Sequence, residues 1–177
     1  MNVATEAINI GYQWSDKDKE NVKMKKRRVC FISSSGGHWE ELLCLKSIAD
    51  ENESFFVTEQ SGQNADSNLH KLYTLPQINR QEKHFFTHFV NLFVDAWRIL
   101  QKERPEVVIT TGALVAFPFC LLAKLQRKKI IYIESFARVN QRSLTGRLVY
   151  PFADLFLVQW KPMLEHYPKA KYIGGIF

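Results

Sequence analysis

Long hydrophobic runs, cysteine pairs and the common nucleotide-loop signatures are all missing from this chain of 177 residues. Its longest stretch without a charge, 107–123, has 17 residues and is interrupted by Thr110, Thr111, Gly112 and Pro118. That is the lower limit for crossing a bilayer, and strand, loop, helix describes the stretch better than a membrane span. A secretory signal is excluded too, because Lys25, Lys26, Arg27 and Arg28 are followed by a short apolar segment that gives way at once to serines. The three cysteines, Cys30, Cys44 and Cys120, sit among apolar neighbours with no histidine at zinc-finger spacing. They read as reduced core residues of a cytosolic protein, and no metal site is expected. No helix-turn-helix, zinc or RNP signature is present, so nucleic acid is not an expected partner. G-x-G-x-x-G and the Walker loop are absent as well. A nucleotide-dependent oxidoreductase is therefore disfavoured, Glu59 being the sole acid that could close the second strand.

What charge there is lies unevenly. The net charge is +6, but residues 1–23 hold Glu6, Asp16, Asp18 and Glu20 against three lysines, so the basic balance belongs to the remainder. Residues 1–23 lack sustained periodicity and read as a poorly ordered leader, with Met24 an alternative start; residues 24–177 read as one domain, long enough to bury a real core. A positive domain suits phosphate groups or an anionic membrane surface.

The chain is organised around residues 29–45. Residues 29–32 are apolar and read as a buried strand, 33–38 form a small-residue turn, and 40–49 carry apolar side chains at helical spacing. Gly36 and Gly37 free the backbone for close approach to a ligand, and the helix's unpaired N–H groups face the same space. Such a loop suits a phosphate or diphosphate; the plainer alternative is a tight connection. Further strands are expected at 54–58, 71–75, 107–110, 130–133 and 155–159, with a last extended stretch at 172–173. Helices are expected at 84–101, 118–126 and 162–167. Strands alternating with helices imply an α/β fold with a parallel sheet, whose ligands bind at the carboxyl ends of the strands. Those ends carry residues 33–38, 110–113, 134–138 and 159–160. The segment 84–101 repeats Phe85, Phe86, Phe89, Phe93 and Trp97 at three- and four-residue steps beside Lys83, His84, His88 and Arg98. It reads either as a core-facing helix or as an interfacial membrane helix.

Several motifs together resemble a known family. Ser-Ser-Gly-Gly-His at 34–38, Thr-Gly-Ala-x-Val-Ala-x-Pro at 111–118 and Tyr-Ile-Glu-Ser-Phe-Ala-Arg-Val at 132–139 resemble the bacterial PssD and CpsF polysaccharide-synthesis proteins. Ser-Leu-Thr-Gly-Arg-Leu-x-Tyr-Pro-x-Ala-Asp at 143–154 and Val-Gln-Trp at 158–160 extend the likeness. Those proteins are similar to the eukaryotic asparagine-linked glycosylation subunit fourteen, and more distantly to the N-terminal half of MurG. The resemblance spans roughly 27–177. It implies a Rossmann-like parallel sheet with helices on both faces, a single N-terminal-type half of a GT-B glycosyltransferase. The second half would be a separate donor-binding subunit of the PssE or CpsG type, and the absence of a further domain after residue 177 agrees with that. It further implies transfer of a sugar from a UDP-sugar, held by the partner, to a lipid-diphosphate-linked saccharide in capsular or exopolysaccharide synthesis. No cofactor is implied. The polar leader, standing where the eukaryotic subunit has a transmembrane helix, suggests peripheral attachment to the inner face of the cell membrane.

An inverting displacement needs a base for the acceptor hydroxyl and a site for the acceptor diphosphate. His38 and Glu134 are the candidate catalytic groups. The alternatives are a locally bonded helix-start histidine and a glutamate paired with Arg138 or Arg142 to order its loop. Ser35, Gly36, Gly37, Thr111, Gly112 and Arg138 are the candidate diphosphate site. The family resemblance assigns Trp160, Tyr167, Ile173, Ile176 and Phe177 to the partner, although Trp160 could equally fill the crevice floor. Phe85, Phe86, Phe89, Phe93, Arg142 and Arg147 are the expected membrane-facing residues. Against all of this stands a non-catalytic membrane scaffold that only enhances a self-sufficient transferase.

Overall fold

The computed structural model describes residues 26–60, 71–77 and 85–177; the expected leader, Met24, Lys83 and His84 lie outside them. The strands are β1 (Arg28–Ile32), β2 (Glu53–Glu59), β3 (Leu72–Leu75), β4 (Val107–Thr110), β5 (Lys129–Ile133), β6 (Leu155–Val158) and β7 (Lys171–Tyr172). The helices are α1 (Gly37–Leu43), α2 (Lys46–Asp50), α3 (Phe85–Glu103), α4 (Ala116–Leu125), α5 (Leu144–Val149) and α6 (Met163–His166). All strand pairs are parallel, in the order β3-β2-β1-β4-β5-β6-β7. This is the expected Rossmann-like arrangement.

The two-residue period of β1 divides the core. Val29 and Phe31 face one side of the sheet with Trp39, Leu42 and Ile48 from α1 and α2. Cys30 and Ile32 face the other, against Leu92, Ala96 and Leu100 of α3 and Phe119 and Ala123 of α4. Buried on both faces, the inner strands β1, β4, β5 and β6 are mostly apolar rather than alternating, while the edge strands β3 and β7 are more exposed.

Three elements depart from expectation. The helix expected over 40–49 is two pieces, because the chain tightens between them into three-residue turns, Leu45 N to Leu42 O and Ile48 N to Leu45 O, both 3.0 Å. Leu42, Leu45 and Ile48, three residues apart, stay on the sheet through that tightening. Within the polar stretch after β5 lies the unforeseen helix α5, capped by Ser143, whose Oγ accepts from Gly146 N at 2.9 Å. The phase of α3 also differs. Leu92, Ala96, Ile99 and Leu100 are its buried stripe, whereas Phe85, Phe89 and Phe93, expected at a membrane, form a ring ladder turned toward Phe117. Phe86, the fourth phenylalanine expected at a membrane, is exposed, together with Val90, Val94 and Trp97. The helix carries apolar residues around most of its circumference, so periodicity alone does not set which stripe goes inward.

The strand order reverses between β1 and β4, the point at which open α/β sheets place a ligand crevice beyond the carboxyl ends of their strands. Residues 33–36 and 111–115 are the loops that follow these two strands, and α1, with His38 in its first turn, comes directly after the first.

Candidate functional site at the strand-order reversal

Gly36 precedes α1 with φ +74°, a left-handed conformation that suits glycine. Its carbonyl accepts from Trp39 N and Glu40 N, closing the first turn. A side-chain carbon on Gly36 or Gly37 would meet nothing within 4 Å. The space above this loop is open. Across the crevice, Gly112 is in a second left-handed conformation, φ +107°, and here there is no room: an added carbon would lie 2.8 Å from Tyr132 Oη and 3.6 Å from His38 Cε1.

His38, on the first turn of α1, bridges the two loops. Its Nδ1 lies 3.0 Å from Thr111 O, and Thr111 Oγ1 donates to His38 O at 2.8 Å. A carbonyl only accepts, so Nδ1 carries the proton and the neutral ring keeps its lone pair on Nε2. Burial lowers the imidazole pKa from its ordinary value, opposed by the Thr111 carbonyl and the charge of Glu134. The ring is therefore neutral at neutral pH and has the form of a base.

Glu134, at the end of β5, is 1% exposed. Oε1 accepts from Ser135 N at 3.2 Å, while Oε2 accepts from Tyr167 Oη at 2.8 Å and Ser143 N at 3.4 Å. Burial raises the pKa of Tyr167 above that of an ordinary phenol, so its hydroxyl stays a donor. The α5 backbone closes over this carboxylate: a side chain on Gly146 would collide with Glu134 Oε2 and lie 2.6 Å from Tyr167 Oη. The acid ties the segment after β5 to α5 and to the residue following α6. Among the described residues its side chain bonds these amides and the hydroxyl, and neither Arg138 nor Arg142.

Sequence reasoning missed Glu41. It is 3% exposed, one turn beyond His38 on the same side of α1. Oε1 accepts from Phe136 N at 2.7 Å and Ser135 Oγ at 3.1 Å. Burial, helped by the charge of Glu134, pushes its pKa up to about 7. The available signal was an acid in the i+3 position from His38, next to Leu42 on the apolar side.

Of the other expected residues, Thr111 and Gly112 are buried in the crevice wall, Ser35 is half-buried, and Arg138, Arg142 and Arg147 are exposed. Asp154 pairs with Lys124 at 2.9 Å and Lys129 at 3.1 Å. The expected partner residues separate. Tyr167 is fully buried against Phe156 and Tyr150, and Ile173 and Ile176 join the core, since the last segment packs down on the sheet. Phe177 is exposed, with its ring 5.5 Å from that of Phe136. Trp160 is half-buried and donates from Nε1 to Phe136 O at 2.7 Å. Among the described residues no helix is long and apolar enough to cross a membrane.

The family model described as "Oligosaccharide biosynthesis protein Alg14 like" matches residues 29–176, nearly every element of the sheet and its crevice. The chain belongs to the Alg14 family. Proteins named UDP-N-acetylglucosamine transferase subunit ALG14 are similar to it across most of both chains. That of Kluyveromyces lactis is 59% identical, covering 89% of this chain and 83% of its own. That of Yarrowia lipolytica is 41% identical, covering 86% and 82%, and that of Homo sapiens 27%, covering 84% and 82%. Solved structures share the Alg14-like fold at lower identity. MurG of Acinetobacter baumannii superimposes with a TM-score of 0.65 at 17% identity, over 77% of this chain and 42% of its own. A UDP-N-acetylglucosamine 2-epimerase from Rickettsia bellii gives 0.66 at 12%, over 86% and 46%. The chain thus spans less than half of each of those molecules, and the likeness to them is one of fold. The eukaryotic side of the sequence resemblance is the side that these matches carry.

Proposed function

We propose that this chain is the acceptor-side and membrane-side subunit of a two-component glycosyltransferase that moves N-acetylglucosamine from its UDP donor to a lipid-diphosphate-linked acceptor. The observation that carries the reading is the His38–Thr111 pair, which presents an unprotonated imidazole nitrogen beside an open glycine loop at the strand-order reversal. The names of the Alg14 relatives support UDP-N-acetylglucosamine as the UDP-sugar donor. They also favour lipid-linked oligosaccharide over capsule as the product's setting.

In this reading the acceptor diphosphate lies over Ser35, Gly36 and Gly37, with Thr111 and Gly112 opposite and Arg138 at the rim. The acceptor hydroxyl oxygen attacks the anomeric carbon of the donor sugar as the bond from that carbon to the UDP oxygen breaks, inverting the centre. The hydroxyl proton passes to His38 Nε2. Stabilisation of the departing diphosphate falls to a separate donor-binding subunit, which meets this chain near Phe177 and the exposed edge of Trp160. Glu134 acts by holding the segment after β5, since its oxygens are already engaged. The exposed stripe of Phe86, Val90, Val94 and Trp97 rests on the lipid surface, and Arg142 and Arg147 face head groups.

A second reading keeps the membrane and partner contacts but assigns no chemistry to this chain. It draws on the same engagement of Glu134, which leaves His38 as the remaining candidate base. His38→Ala separates the two: loss of transfer by about 10²-fold or more with partner binding intact supports the first, and unchanged transfer supports the scaffold.

A further inference from the structure

One buried acid has no part in the scheme above. Glu41 Oε1 serves two donors of the segment after β5, Phe136 N and Ser135 Oγ, while Oε2 is buried without a partner among the described residues. What Glu41 holds is a junction. The Phe136 carbonyl accepts from Trp160 Nε1, and the Phe136 ring lies 4.7 Å from that of Trp160 and 5.5 Å from that of Phe177. A side-chain carbon on Gly175 would lie 3.2 Å from the same ring. A single turn of chain thus touches α1 on one side and the exposed aromatic end of the fold on the other.

We infer that Glu41 is a proton-dependent positioning residue: its ionised carboxylate clamps the Ser135–Phe136 turn to α1, and protonation loosens that turn together with the aromatic patch built upon it. Charge strengthens a hydrogen bond from an amide or hydroxyl roughly twofold over its neutral counterpart, so the two bonds at Oε1 weaken together when the acid takes a proton. The titratable and charged groups that act on it are Glu134 at the end of β5 and Cys44, the residue that follows α1. None of them is recorded as bonded to Oε2, so the carboxyl titrates between two states of one buried clamp. The inference rests on the transferase reading only for its effect on turnover; the clamp is a property of the chain.

The test follows the Phe136 backbone amide and the Trp160 indole N–H by NMR on the full chain, in wild type, Glu41→Gln and Ser135→Ala, from about pH 5 to about pH 9. In wild type both signals should move together with a midpoint near 7. Glu41→Gln keeps an oxygen for the Phe136 amide and should abolish the movement. Ser135→Ala removes one donor from the charged form, so its midpoint should shift upward. Static signals in wild type, or the same titration in Glu41→Gln, would overturn the inference whether or not the chain supports transfer. With the partner present, Glu41→Gln should change the pH profile of transfer. If wild type shows no transfer at all, the transferase reading fails while the NMR result still decides the clamp.

Discussion

His38 and Thr111 bind each other twice, ring nitrogen to carbonyl at 3.0 Å and hydroxyl to carbonyl at 2.8 Å, and so lock the loop after β1 to the loop after β4. The pair fixes which imidazole nitrogen is free. Thr111→Val removes the hydroxyl but leaves the carbonyl that sets the tautomer. It should destabilise the chain by about 0.5–1.5 kcal/mol while transfer falls much less than in His38→Ala. Chemical denaturation and single-turnover rates check both statements. Because burial lowers the His38 pKa below 6.5, its neutral form predominates above that value, and the His38-dependent step should fail only as pH drops through the depressed pKa.

The two glycine positions call for different reasons and should answer differently to alanine. Gly37 has open space above it and no left-handed φ. Gly37→Ala should leave stability unchanged or raise it by about 0.4–1 kcal/mol, yet weaken acceptor binding, read as an increase in KM. Gly112→Ala meets both a left-handed φ and the Tyr132 hydroxyl. It should lower the melting temperature whether or not acceptor is present.

Glu134 and Gly146 form one structural contact. Gly146→Ala drives a methyl group into the carboxylate and should cost about 1–3 kcal/mol. Glu134→Gln places an amide donor where the buried oxygens now accept only, at a cost of similar size. Thermal unfolding of both variants and of the double variant measures the coupling, and the double variant should be less destabilised than the sum.

Glu41 gives a pH dependence of definite sign. Its folded pKa of about 7 exceeds the ordinary 4.5, so the folded chain binds this proton more tightly than the unfolded one. The resulting stabilisation is present below the unfolded pKa and lost as pH rises through the folded one, a difference of about 3 kcal/mol at most. Glu41→Gln lacks that loss. Its melting temperature relative to wild type should therefore rise between about pH 5 and about pH 8.

The exposed stripe on α3 should govern attachment to lipid. Phe86→Ser with Trp97→Ser removes two large exposed side chains, 77% and 48% accessible, without touching the core. Co-sedimentation with vesicles should fall several-fold at unchanged melting temperature. Phe89→Ser, cut from the inward ladder, should lower the melting temperature instead.

Much of the sheet was legible because its signals are local. Runs such as 107–110 and 130–133 are apolar, β-branched and bounded by polar or glycine residues, and each became a strand close to its expected bounds. The glycine loop and the strand-order crevice follow from the same alternation. What escaped were features set by packing. The phase of α3 depends on which of several apolar stripes meets α4. The burial of Tyr167 depends on the carboxylate of Glu134, distant in sequence, as hydrogen-bond partner. Glu41 lies among leucines as one more helical glutamate until Ser135 and Phe136 arrive from β5, far along the chain. Helix α5 was signalled only by its cap, Ser143, within a segment whose arginines suggested a loop.

The central claim is that this chain supplies chemistry to a transferase it cannot be alone. The direct measurement is transfer from UDP-N-acetylglucosamine to membrane-extracted lipid-diphosphate-linked acceptor by this chain, by its donor-binding partner, and by the two together, with wild-type and His38→Ala chains. Activity confined to the mixture and lost with His38→Ala at unchanged partner binding is the predicted result. A partner equally active alone on lipid-linked and soluble acceptors would contradict the claim and leave this chain a scaffold.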